Sequence, residues 1–282
     1  MPLLLFEATE MLTKIVQISA NSRRRPRTLW GALCVAVACG LLGLNATAAA
    51  PQVSQPGQNA EIDAQMIGYP SGSFNIRAYL AKPRSGAKFP AVILVHSVQG
   101  LNDRLQDTAR QLAAEGFLVL APDLLSRSTA AGTPPARGAV ARLSATATVD
   151  DLKAGYDFLV KNPDVDASKI SIVGFGWGGW RSFMLAENVP GLFRVVIYYG
   201  VTPSTGLENI HAPVLGHYAQ YDFRNTGNAI PTEKTMKELG GKFTYYVYPE
   251  TRAEFVNSSD QHNIDATKLS WQRTISFLRS PS

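Results

Sequence analysis

Gly174-Phe175-Gly176-Trp177-Gly178 has the spacing of a nucleophile elbow, G-x-Nu-x-G. In that motif a sharp strand-to-helix turn lifts a serine or cysteine above the end of a sheet. The context fits, because Lys169 to Val173 is a strand-like run and Trp180 to Glu187 a helix-like run. The central residue, however, is Gly176. Glycine adopts the strained or positive φ of such a turn at no steric cost. It therefore keeps the backbone and deletes the nucleophile.

The remaining candidates for chemistry are few. Of the four histidines, His262 sits in Asp260-Gln261-His262-Asn263, just before a helix. It reads as a cap or surface residue, with a reach toward Asp222 as the alternative. His96 ends an apolar strand, where it either faces a pocket or is hydrogen-bonded structurally. His211 and His217 flank another strand and have no metal-ligand spacing with acids or cysteines, so no metal and no cofactor are expected. Ser97 is a candidate displaced nucleophile without an evident base. Arg224 follows Asp222 by two residues; a structural ion pair is expected, and binding of an anionic substrate is the alternative. Trp177 and Trp180 read as packing residues around the turn, with Trp177 lining a pocket as the alternative.

The elements that would position these residues alternate. A strand pair is expected over 61–68 and 74–82, turned by Pro70-Ser71-Gly72. Phe89 to His96 is a continuous apolar run, as in a strand buried on both faces. Asn102 caps a helix in which Leu105, Ala109, Leu112 and Ala113 share one face. Strands follow over 117–121, 170–173, 194–199, 213–218 and 243–248, with helices over 149–160, 180–187, 232–239 and 264–278. Strands separated by helical segments imply right-handed βαβ units in a mostly parallel sheet with helices on both faces, an α/β class. Ser126 to Ala147, rich in Ala, Gly, Pro and Thr, reads as a long functional or mobile loop.

The first fifty residues resemble an export signal. Arg23, Arg24, Arg25 and Arg27 precede the uncharged Leu29 to Leu44, and Ala46-Thr47-Ala48 offers a cleavage site. The expected organisation is a signal at 1–48, a polar linker at 49–60 and one domain at 61–282, placing the mature chain in a periplasm. The alternative is an uncleaved membrane anchor over 29–50. Both cysteines, Cys34 and Cys39, fall inside the signal, so the mature chain has neither a disulfide nor a thiol nucleophile. Removing residues 1–48 takes out Lys14 and the four arginines against Glu7 and Glu10, so the net charge falls from +5 to +2. No basic run is left, which argues against nucleic-acid binding.

From about Ile62 to Leu278 the chain resembles the dienelactone hydrolase family of the α/β-hydrolase fold. The matching segments include Gly100-Leu101-Asn102, Phe117 to Leu125, Val173 to Gly179, Tyr198 to Val201, Ala212 to Gly216, Tyr248-Pro249 and the helix from Trp271 to Phe277. The resemblance implies a triad in the order nucleophile, acid, histidine. The nucleophile, usually Cys in a G-F-C-W-G-G segment, is Gly176 here. The acid after the strand over 213–218 is Asp222. The histidine expected after Tyr-Pro falls on Ala253, and the glutamate that often follows His96 is Ser97. The family's oxyanion donors map to the backbone N–H of Trp177 and that of Ser97 or Val98.

These residues lead to a reading as an exported pseudoenzyme of hydrolase ancestry. It would keep a cleft for a small organic acid, ester or lactone, with Ser97, Val98, Trp177 and Arg224 as binding candidates. The alternatives are an active ester or lactone hydrolase using Ser97 or His262, and an interaction or scaffold protein. The sequence does not set the oligomeric state.

Overall fold

The computed structural model describes residues 61–128, 138–258 and 260–281. The expected signal and linker, and the middle of the long loop, lie outside them. Eight strands form one sheet: β1 (Ile62–Ser71), β2 (Phe74–Pro83), β3 (Phe89–Val95), β4 (Leu118–Pro122), β5 (Val165–Phe175), β6 (Val195–Tyr198), β7 (Val214–Ala219) and β8 (Phe243–Tyr248). Their order is β1-β2-β4-β3-β5-β6-β7-β8. β2 runs antiparallel to both of its neighbours, and every pairing from β4 to β8 is parallel. This is the α/β-hydrolase fold.

Period-two alternation divides the core. Ala91, Ile93 and Val95 of β3 pack on one face of the sheet, Val92 and Leu94 on the other, and all five are fully buried. Burial of each larger side chain contributes about 1.5–3 kcal/mol. Helices α1 (Asp103–Ala114) and α5 (Gln261–Arg279) cover the second face through Leu105, Leu112, Ile275 and Leu278. Helices α2 (Ala145–Val160), α3 (Trp177–Asn188) and α4 (Phe223–Glu238) cover the first through Leu152, Phe183 and Met236.

Four helices start earlier than the periodicity implies, α3 and α5 by three residues each and α2 and α4 by more. α2 begins at Ala145, where Ser144 Oγ accepts the N–H of Ala147. Part of the expected loop is therefore ordered, including a helical turn at Ala139–Arg142. α4 begins nine residues before the expected start, at Phe223. Asn225, Gly227, Asn228 and Pro231 are weak helix formers and hide it. Burial of Ala229 and Met236 and the cap at Asp222 override that propensity.

Two arginines tie the ends of segments down. Arg194, before β6, donates to the carbonyls of Phe277 (3.3 Å), Ser280 (3.2 Å) and Pro281 (2.8 Å), gathering the end of α5 to the amino edge of the sheet. Arg127, just after β4, grips buried Asp151 of α2 through Nε (2.8 Å) and Nη2 (2.5 Å). The Asp151 side chain is only 1% exposed, so its charge depends on that fork. Arg127→Met leaves the carboxylate buried without a cation, and a loss of about 3–5 kcal/mol in urea unfolding is expected. A loss below about 1 kcal/mol would mean that the pair does not hold the loop to α2.

Candidate functional site

Gly176 stands between β5 and α3 with φ 53° and ψ −112°, at the carboxyl edge of the sheet. Its N–H donates to Tyr198 O (2.9 Å) and its carbonyl accepts from Gly179 (3.0 Å). A Cβ built on it would clear every neighbour, the nearest being Ser97 Cβ and the Tyr199 ring at 3.9 Å. The turn thus has space for a side chain but bears none, and its φ is one that side chains other than glycine's rarely adopt. The N–H groups of Trp177 and Gly178 open α3 and have no acceptor within the helix.

Asp222 follows β7 and Ala253 follows β8, so both loops leave the same edge as Gly176. Asp222 is the N-cap of α4. Its Oδ1 accepts from Asn225 N (3.4 Å) and its Oδ2 from Asn225 Nδ2 (2.8 Å). The same Nδ2 reaches Tyr199 O (3.3 Å). The expected Asp222–Arg224 ion pair does not form. Arg224 lies on the exposed side of the first turn, while the Asp222 carboxylate is taken up by the backbone N–H and side-chain amide of Asn225. Ala253 is exposed in a turn, and no histidine takes its place. His262 Nδ1 pairs with Glu250 Oε2 (3.1 Å) on the surface, with both side chains more than 60% exposed.

The other histidines serve the fold. His96 is fully buried. Its Nδ1 donates to Ser97 O (2.7 Å) and its Nε2 accepts the N–H of Leu124 (3.2 Å). Burial pushes its pKa below the usual range, so it is neutral and both ring nitrogens are occupied. Ser97 Oγ receives only a long bond from Gln99 N (3.4 Å). His217, in the middle of β7, bonds Tyr248 OH (2.9 Å) and Thr274 Oγ1 (3.0 Å). Burial pushes it down to about 3. His211 is exposed. Among the described residues no three His, Cys, Asp or Glu side chains come together as metal ligands.

A cavity of about 610 Å³ opens between α1 and α5 beside Gly176. Ser97, Phe175, Tyr198 and Tyr199 form its inner wall, and Trp271, Ser270 and Thr267 line it from α5. Tyr199 holds φ 42°, a strained value for an aromatic residue and one typical of ligand sites. Burial, with Glu254 and Tyr198 nearby, raises its phenol well above the ordinary value, so it stays protonated. Arg104 and Lys268 bring positive charge to the wall. Arg104 donates to the Asn257 amide (3.3 Å), and the lining Asp107 is already paired with Arg110. Sequence reasoning expected a cleft and named Ser97, but missed the part of its wall that comes from α1 and α5. Its walls come from residues about 150 positions apart, and Arg104 and Lys268 look like ordinary surface charges.

The binding candidates separate. Ser97 lines the cavity, Val98 is 53% exposed, and neither Trp177 nor Arg224 contributes to the wall. Trp177 turns to the other side, packing on Leu125, Ala139, Val140 and Leu143 and stacking on His96 at 5.6 Å.

Residues 76–282 match the model of the dienelactone hydrolase family. A putative carboxymethylenebutenolidase of Escherichia coli is 30% identical over 261 residues, covering 83% of this chain and 94% of its own length. One from Saccharolobus solfataricus is 28% identical, covering 77% and 98%. Among solved structures, a putative dienelactone hydrolase from Klebsiella pneumoniae superposes with TM-score 0.71 at 24% identity, covering 78% of this chain and all of the other. A dienelactone-hydrolase-like promiscuous phosphotriesterase from metagenomic libraries has TM-score 0.66 at 19% identity, covering 77% and 97%.

Capping gives Asp222 a role that needs no histidine. Asp222→Asn keeps a capping oxygen and should leave the denaturation midpoint nearly unchanged. Asp222→Ala should cost about 1 kcal/mol. Equal losses for the two variants in urea melts would show that the negative charge, not the cap, is what stabilises this turn.

Proposed function

The chain belongs to the dienelactone hydrolase family, and from that premise we propose that it is an exported binding member of the family. It holds a small organic acid, ester or lactone in the cavity beside Gly176 without hydrolysing it through a triad. The observation that carries this reading is Gly176 itself: an elbow with the backbone of φ 53° and room for a side chain, but no nucleophile. Ala253 supplies no proton shuttle, and Asp222 is engaged as a helix cap. Nucleophile and base act as a unit, so losing one costs nearly as much rate as losing both.

The cavity supports binding. It combines aromatic walls at Phe175, Tyr199 and Trp271 with cations at Arg104 and Lys268, a composition suited to an apolar body with a polar or anionic end. An active hydrolase built on Ser97 or His262 has less support. The imidazole next to Ser97 is bonded at both nitrogens, and His262 faces Glu250 on the surface.

Negligible turnover of activated esters and dienelactones is expected from the unmodified protein. Gly176→Cys alone or Ala253→His alone should add little, and the double variant should raise turnover above either. Cysteine at 176 should cost about 1–3 kcal/mol in backbone strain. Turnover at ordinary enzymatic rates by the unmodified protein, abolished by Ser97→Ala or His262→Ala, would replace this reading with the active-hydrolase one.

Export rests on residues 1–48 acting as a cleaved signal. Sequencing the amino terminus of the protein recovered from cells should find a start near Ala49. Recovery of an intact 29–44 segment in membranes would establish an anchor instead.

A further inference from the structure

We infer that Arg181 anchors a second binding site, on the sheet face opposite the cavity, which takes one carboxylate carried on an apolar body. Arg181 belongs to the second turn of α3, on the face covered by α2, α3 and α4. It is 3% exposed. Among the described residues no carboxylate pairs with it. Its Nη1 touches Met184 Sδ (3.2 Å), and its buried Nε has no hydrogen-bond partner among the described residues.

The guanidinium lies over two indoles, with Cζ 4.7 Å from the Trp177 ring and 4.3 Å from that of Trp180. Indole faces stabilise a cation in part, but they accept none of its N–H bonds. A buried charge without a counter-ion is among the least favourable arrangements in a protein interior. The neighbouring sequence supplies no remedy, since no Asp or Glu occurs from Leu124 to Val149.

The geometry selects the ligand. The edge shared by Nε and Nη2 is one that a carboxylate grips with two parallel bonds. One guanidinium balances one negative charge, whereas a phosphate dianion would leave a second charge against the indole rings. The surroundings are the indoles of Trp177 and Trp180, with Leu125, Ala139 and Val140 packed on Trp177, and they favour an apolar body behind the carboxylate. None of Trp177, Trp180 and Arg181 lines the cavity between α1 and α5, so the two sites share no side chain.

The four tryptophans allow the sites to be read separately. The full chain with Trp30→Phe and Trp271→Phe keeps only Trp177 and Trp180, flanking Arg181. The chain with Trp30→Phe, Trp177→Phe and Trp180→Phe keeps only Trp271, in the cavity. Both are titrated with benzoate, acetate and inorganic phosphate against chloride at constant ionic strength. Benzoate should change the Trp177/Trp180 emission saturably, with acetate weaker for want of an apolar body. Arg181→Met in that background should weaken benzoate binding about tenfold or more, the factor expected for losing charge-assisted bonds.

Benzoate should also raise the melting temperature of the parent by more than that of Arg181→Met, in which only the cavity is left to bind it. If the Met variant fails to fold, Arg181→Lys, which keeps the charge and loses the fork, should weaken benzoate binding by a smaller factor. Absence of a saturable response, an unchanged benzoate curve in the folded variant, or phosphate binding as tightly as benzoate would overturn the inference. Silence of Trp271 under the same titration counts against the cavity reading alone.

Discussion

Helix α3 is seated directly on the backbone of the sheet, and the site is built around that seating. A Cβ at Gly178 would overlap His96 O and lie 2.7 Å from Val95 O, so only glycine lets the first turn of the helix sit this close to β3. The approach fixes where Gly176 turns, where the leading N–H groups of α3 emerge, and on which side Trp177 leaves the helix. Trp177 then stacks on His96, whose ring ties the end of β3 to Leu124 after β4. A scaffold determined by backbone contact does not depend on the catalytic side chains. It therefore persists with glycine at the nucleophile position.

The same independence accounts for the mixed character of the site. Asp222 has a local task at the start of α4. Gly176 serves the turn best without a side chain, and residue 253 is exposed. Beside them the cavity keeps its aromatic wall, because Tyr198 and Phe175 also stack within the core (4.8 Å between rings).

Most strands were legible in the sequence because burial on both faces writes continuous apolar runs, as in Phe89 to Val95 and Leu118 to Ala121. The elbow was legible because its glycines have local backbone causes. The start of α4 was not, since its cap and its tertiary contacts outweigh Asn225, Gly227 and Pro231. Proximity in sequence suggested a pair between Asp222 and Arg224, but the Asp222 carboxylate is taken up by the backbone N–H and side-chain amide of Asn225. The wall that α1 and α5 give to the expected cleft was hidden for a different reason. Arg104 of α1 and Lys268 of α5 meet only when both helices pack on one face of the sheet, and no local pattern encodes that meeting.

Arg194 carries a practical consequence for handling the protein. By collecting the carbonyls of Phe277, Ser280 and Pro281, it makes the chain leave the domain at the amino edge of the sheet, whereas the cavity opens at the carboxyl edge. A linker joined after Ser282 would thus emerge on the far side of the domain from the cavity mouth. Molecules tethered to a surface through that end would present the mouth to bulk solution, an orientation suited to measuring small-molecule capture on an immobilised layer.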